Sequence, residues 1–246
     1  MRTKDRVLVV GVYLLDHENR AEDITRELSS AHNWDVEQSW AALGKGKVPE
    51  RLSAITALVS QASIPKFTLL NRLLAERPLQ DYQFILVVDD DIGLPPNFLD
   101  NYLNIVSRCD FALAQPARTR DSFIDHPFVS QMPGIDARET LFVEIGPLFS
   151  IRRPAFSCLL PFDDESGMGW GYDFVWPVLL QQRALRLGIV DKFPIAHDLR
   201  KPVTHYRHSD SDRQMQDFLS QREHLAPGDA FTIIRTYATP KSPPLL

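Results

Sequence analysis

The chain alternates between short continuous apolar runs and longer stretches whose apolar residues recur every three to four positions. "VLVVGVY" (7–13) is a run of the first kind, rich in β-branched residues, and predicts a parallel strand covered on both faces. "ENRAEDITRELSSAHN" then sets Ile24, Leu28 and Ala31 at helical spacing behind early acids. "WDVEQSWAAL" alternates Trp34, Val36, Gln38 and Trp40 as a strand does, until "GKGKVPE" breaks the pattern. "IPKFTLLNRLLAERP" carries Pro65 where a first helical turn tolerates it, with Phe67, Leu70, Leu73 and Leu74 on one face. A second continuous run, 84–88, ends in the triplet Asp89, Asp90 and Asp91, and "PPNFLDNYLNIVSRC" restarts a helix.

This order of strands and helices predicts an open, mostly parallel α/β sheet flanked by helices. Ligands of such sheets sit outside the carboxyl ends of the strands, where the acid triplet lies. The second half is less regular. "RTRDSFIDHPFVSQMPGIDARET" reads as charged loop, and "LFVEIGPLFSIRRPAF" as strand, turn, strand and helix start. "DFVWPVLLQQRALRLG" predicts a helix ending at Gly188, and "IVDKFPIAHDLRKPVTHY" a strand running into a histidine-bearing loop. No repeat or linker interrupts the chain, so a single domain over 1–225 is expected, with 226–246 as a proline-containing C-terminal extension.

Composition narrows the function classes. With 246 residues, 44% of them apolar, there is enough material for a sizeable core. A formal net charge of −5 gives no global attraction to nucleic acid or anionic membrane. A phosphate-bearing ligand would need a metal, a few placed cations or helix N-termini. No apolar run reaches the length of a membrane span, and the first apolar run passes straight into charge rather than a small-residue cleavage site. Cys109 and Cys158 lack metal-ligand spacing and read as thiols in a reducing compartment, so a cytoplasmic location is expected.

The triplet carries the chemistry. Along a strand, Asp89 and Asp91 would point to one side and Asp90 away. Paired carboxylates of this kind suit Mg²⁺ or Mn²⁺, which complete their shells with water and phosphates. "ILVVDDD" also resembles the opening of a response-regulator receiver, but the position of the phosphoaccepting aspartate, four before Pro133, holds Val129. That comparison fails at its central residue.

The stretch "KFTLLNRLLAERPLQDYQFILVVDDDIGLPPNFLDNYL" resembles the middle of GT-A glycosyltransferases. "FVEIGPLFSIRRPAF", "LPFDDESGMGWGYDF" and "LGIVDKFPIAH" follow in the order of that fold. The set is most similar to a glycosyltransferase-like family first catalogued as a domain of unknown function, over roughly residues 7–206. The resemblance implies a metal-dependent transfer from a nucleotide-sugar donor, with UDP favoured, to a glycan-like acceptor hydroxyl, with inversion. A nucleotidyltransferase, or a non-catalytic nucleotide- or carbohydrate-binding module of the same fold, is the alternative.

Carried over by position, Asp173 would be the general base. Asp91, Asp89 and His197 would hold the metal, with His205 as competitor to His197. Val10, Gly11, Tyr13, Lys66, Asn71, Asp89 and Asp90 would form the donor side, Tyr13 by stacking and Asp90 as a spacer. Glu144, Trp170, Gly171 and Tyr172 would meet the acceptor. Tyr172 stands where many relatives carry an acid. Arg118 and Arg120 would offset phosphate charge.

Overall fold

The computed structural model describes residues 4–200 and 208–239. It is a mixed α/β structure built on one sheet. In chain order its elements are β1 (Arg6–Leu14), α1 (Ala21–Ser29), β2 (Asp35–Leu43), β3 (Thr56–Ser60), α2 (Lys66–Ala75), β4 (Tyr82–Asp89) and β5 (Ile92–Gly93). Then come α3 (Phe98–Arg108), β6 (Phe111–Arg118), β7 (Ala137–Thr140), β8 (Leu148–Arg152), α4 (Phe156–Leu159) and α5 (Tyr172–Gln181). β9 (Arg186–His197), α6 (His208–Ser220), α7 (Pro227–Ala230) and β10 (Ile233–Tyr237) complete it.

The sheet order is β10-β7-β9-β6-β8-β4-β1-β2-β3, with β5 paired to β9 off this path. β3, β2, β1 and β4 are mutually parallel; β8 runs against both β4 and β6. β6 and β9 are again parallel to each other, and β7 and β10 add antiparallel at that edge. The chain moves outward from β1 through β2 to β3, then returns to place β4 on β1's other side. Open α/β sheets commonly bind ligands at such a reversal in strand order.

Strand alternation splits the core into two layers. Val7, Val9, Phe84, Leu86 and Val88 pack under α1 and α3, through Ile24, Leu28, Phe98, Tyr102 and Leu103. Leu8, Val10, Ile85 and Val87 pack on the other face against α2, α4 and α5, through Phe67, Leu70, Phe156, Tyr172 and Trp176. A smaller cluster of Val129, Phe142, Phe174 and Ala230 lies beneath α6 and α7.

Several expectations change in the second half: the segment 141–147, read as a strand and turn, forms no strand, and β7 lies inside the stretch read as loop. The helix that begins at Tyr172 stops at Gln181, and Gly188 lies inside β9 instead of capping a helix. Phe111 of the neighbouring β6 is the reason: a Cβ on Gly188 would stand 2.2 Å from its ring. Gly188→Ala is therefore expected to destabilise the fold by about 1–3 kcal/mol, read as a lower denaturant midpoint at unchanged slope. The extension from residue 226 is also more than a tail. Within its described part, α7 closes over the small cluster and β10 pairs with β7 at the sheet edge. No helix among the described residues is long and apolar enough to cross a membrane.

Candidate active site

β4 ends at Asp89, so strand alternation does not extend through the triplet, and each aspartate has different partners. Asp89 faces α2, where Lys66 Nζ lies 2.7 Å from Oδ1 and 2.8 Å from Oδ2. Asp90 is 2% exposed; its Oδ2 accepts from the backbone N–H of Leu14 at 2.8 Å, and Arg200 binds Oδ1. Asp91 Oδ2 is 3.4 Å from His197 Nε2 and 3.2 Å from Arg200 Nη2. Burial pushes the Asp90 carboxyl upward despite Arg200. Burial also works against the charge of Asp91, but His197, Arg200 and Lys66 together hold its carboxyl below the usual range. The crowding of three carboxylates is thus compensated by Lys66, His197 and Arg200, drawn from α2, the end of β9 and the loop after it.

Lys66, Asp89 and His197 line one end of a cavity of about 560 Å³ that also contains Glu144, Trp170, Gly171 and Asp173. Asp173 sits in the first turn of α5, where Gly171 supplies the helix boundary at φ 96°. A Cβ at Gly171 would meet Phe218 at 2.9 Å, so both the backbone conformation and the packing call for glycine. Asp173 is 6% exposed, and its Oδ1 has no hydrogen-bond partner among the described residues. Burial, reinforced by the nearby Glu144 charge and opposed by His126, raises its carboxyl to about 7. A buried carboxylate with one oxygen unpartnered suits proton abstraction near neutral pH.

Glu144 lies beside Asp173 in the cavity wall but is engaged by the protein itself. Arg118 Nη2 donates to its Oε2 at 2.9 Å, and His126 Nδ1 is 3.1 Å from its Oε1. The Glu144 hydrogen bond and charge raise the His126 pKa against the effect of burial. Arg118 also donates to the Gly146 carbonyl and is 1% exposed, so it braces the cavity wall, whereas Arg120 is exposed.

Several expected contacts are corrected by packing. Val10 is fully buried in the core, and Gly11 makes room for the Trp40 ring, which a Cβ would meet at 2.3 Å. Tyr13 is 1% exposed, its ring tilted against Trp40 and its hydroxyl 2.8 Å from Thr56 Oγ1, so the ring belongs to the core rather than to a nucleobase site. Asn71 pins the loop after α4, donating to the Phe162 carbonyl at 2.8 Å and accepting from its N–H at 2.9 Å. Tyr172 points to the opposite side of α5, stacked on Trp176 and Phe162, with its hydroxyl on the Asp163 carbonyl. Asp90 is a buried brace rather than a donor contact. His205 lies outside the described residues.

A divalent cation fits part of the expected donor set. Adjacent ligands at the 2.0–2.1 Å typical of Mg²⁺ stand about 3 Å apart, close to the 3.4 Å between Asp91 and His197. Among the described residues no three His, Cys, Asp or Glu side chains converge on one point, because both Asp89 oxygens turn to Lys66. Two protein ligands, with phosphates and water completing the shell, is an ordinary arrangement for this ion.

Sequence reasoning overlooked His126, Arg200 and Phe231. Arg200 had one signal: an acid triplet at a buried strand end requires cations, and Arg200 follows His197 by three residues. His126 and Phe231 come from segments read as loop and tail. No protein-family model matches the chain, and no curated protein matches it.

Proposed function

We propose that this protein is a GT-A-type glycosyltransferase that moves a sugar from a nucleotide-sugar donor to an acceptor hydroxyl. The observation that carries the reading is the joining, in one cavity at the ends of β4, β6 and β9, of a phosphate-suited end and a buried carboxylate with one unpartnered oxygen. Lys66, Asp89 and His197 line the first end and Asp173 the second. The mostly parallel sheet and the placement of Gly169, Trp170 and Gly171 at the start of α5 support the family assignment.

In this reading Asp173 Oδ1 accepts the proton of the acceptor hydroxyl as its oxygen forms the bond to the anomeric carbon. The bond to the nucleotide diphosphate breaks on the opposite face, giving inversion, and the diphosphate leaves with the electron pair. Lys66 and Arg200 hold positive charge at the departing side. A Mn²⁺ or Mg²⁺ ion held by Asp91 and His197 would neutralise charge accumulating on the diphosphate.

Thermal shift with UDP, GDP and their sugar conjugates tests the donor site. At about one hundred times Kd, a rise of roughly 5 °C or more is expected with Mn²⁺ present. The rise should vanish in Asp91→Ala. A flat response to every nucleotide with metal present removes the donor assignment.

A further inference from the structure

Around Asp173 the cavity lining is predominantly apolar, with Glu144 and His126 as its charged neighbours. Phe123, Met168, Trp170, Met215, Leu225 and Phe231 line it as partly exposed side chains, drawn from five separate stretches of chain. They are assembled around Asp173 by identifiable contacts. The Leu225 N–H donates to the Phe174 carbonyl at 3.0 Å, and the Phe231 ring lies 5.3 Å from His126 and 6.4 Å from Phe174. On the far side, the Phe123 N–H donates to the His197 carbonyl at 2.7 Å, which joins the apolar half to the phosphate-suited end.

Polar groups here are largely satisfied within the protein. Glu144 has one oxygen on Arg118 and the other on His126, and its N–H donates to Gln115. Arg118 is occupied by Glu144 and the Gly146 carbonyl. His224 places Nδ1 2.8 Å from the Arg222 carbonyl. Asp173 Oδ1 is the buried oxygen left without a partner among the described residues. A polyhydroxylated acceptor would have to bury hydroxyls against rings and thioethers, each unpaired one costing about 1–3 kcal/mol. A ligand with one hydroxyl on a flat apolar body matches the buried part of the wall: one buried unpartnered acceptor oxygen, aromatic faces, and two methionine sulfurs of the kind that pack on ring edges, while the Asp125 carboxylate lines the cavity as an exposed side chain.

We infer that the acceptor is an aryl alcohol, its phenolic hydroxyl directed at Asp173 and its ring held between Phe123, Trp170 and Phe231. This rests on the glycosyltransferase reading and names its acceptor class. The step balances as an O-glycosylation. The phenolic O–H gives its proton to Asp173, the aryl oxygen bonds the anomeric carbon, and the nucleotide diphosphate departs. A phenol ionises at about pH 10, far more readily than an alkyl or sugar hydroxyl. A carboxylate with its pKa raised to about 7 is therefore a competent partner.

Ligand-observed NMR with the full chain, using p-cresol, cyclohexanol and methyl β-glucoside as probes, tests this directly. Saturation transfer is expected to p-cresol in preference to the other two. Its Kd should weaken by about tenfold in Phe231→Ala, one good ring contact. Phe123→Ala, a partly exposed loop position, should give a similar loss and serves if Phe231→Ala does not fold. Preferential binding of the glucoside, equal binding of cyclohexanol, or p-cresol binding unchanged in Phe123→Ala overturns the inference. The nucleotide thermal shift is read separately. Nucleotide binding without p-cresol binding sinks the acceptor class alone, while p-cresol binding without nucleotide binding sinks the transferase reading and leaves an aryl-binding cavity.

Discussion

Asp173→Asn is expected to lower transfer by about 10²–10⁴-fold while leaving the nucleotide-induced thermal shift in place. The substitution keeps the volume of the side chain and its position at the start of α5 but removes the proton acceptor. In the native protein, kcat/KM should rise with pH through about 7 and level above it, because only the ionised carboxylate accepts a proton. The same variant should be more stable than the native protein at pH 8. Burial raises the folded-state pKa from 3.8 to about 7, so the stability that this group contributes is full below pH 3.8 and is lost as pH rises through about 7. Across that interval the cost of charging it is on the order of 4 kcal/mol. Asn avoids this cost, and a Tm gain of ~5 °C or more at pH 8 should shrink toward zero at pH 4. Undiminished turnover would dismiss Asp173 as the base; an unchanged Tm at pH 8 would mean its charge is solvated.

Arg118→Ala is expected to be the most damaging substitution in the cavity wall. The guanidinium is buried and holds both Glu144 and the Gly146 carbonyl. Its removal leaves the buried Glu144 carboxylate with His126 as its remaining partner, next to the Asp173 charge that already acts on the same pocket. Breaking such a pair costs about 3–5 kcal/mol, so a Tm fall of ~10 °C is expected by calorimetry. Removing both charges is a different matter. Arg118→Met with Glu144→Gln should recover most of the loss, since an apolar replacement of a buried pair is often nearly neutral. If the single variant is as stable as the native protein, the pair is not what braces this wall.

Much of the sheet could be read from the sequence, because its central strands are fully buried and therefore continuous apolar runs. β1 and β4 were legible for that reason, and α1, α2 and α3 from their apolar spacing. The misses share one cause. β9 begins in "RLGIV", whose Leu187 also fits the preceding helix, and Phe111 on another strand decides against it. β7 and β10 are short, carry Arg138, Glu139 and Arg235, and acquire strand character only by pairing, β7 with β9 and β10 with β7 at the edge. At the site, the resemblance singled out Asp173, Trp170, Asp91 and His197; the first two line the cavity and the last two lie side by side. It misplaced Tyr13 and Asn71, whose partners Thr56 and Phe162 sit on segments that no local pattern connects to them. The cations that balance the triplet were only half visible, since charge balance states how much is needed and not which residue supplies it.

The position of β8 has a consequence for biosynthesis. It lies between β4 and β6, yet it follows both in the chain, and β6 joins this part of the sheet only through β8. During synthesis the four parallel strands β1 to β4 can assemble early, but β4, which leads into the acid triplet, keeps an open edge until residue 152 has been made. An unpaired apolar edge of this kind is a template for wrong pairing. The nascent half-sheet is thus the stage at which this chain most needs protection from its neighbours.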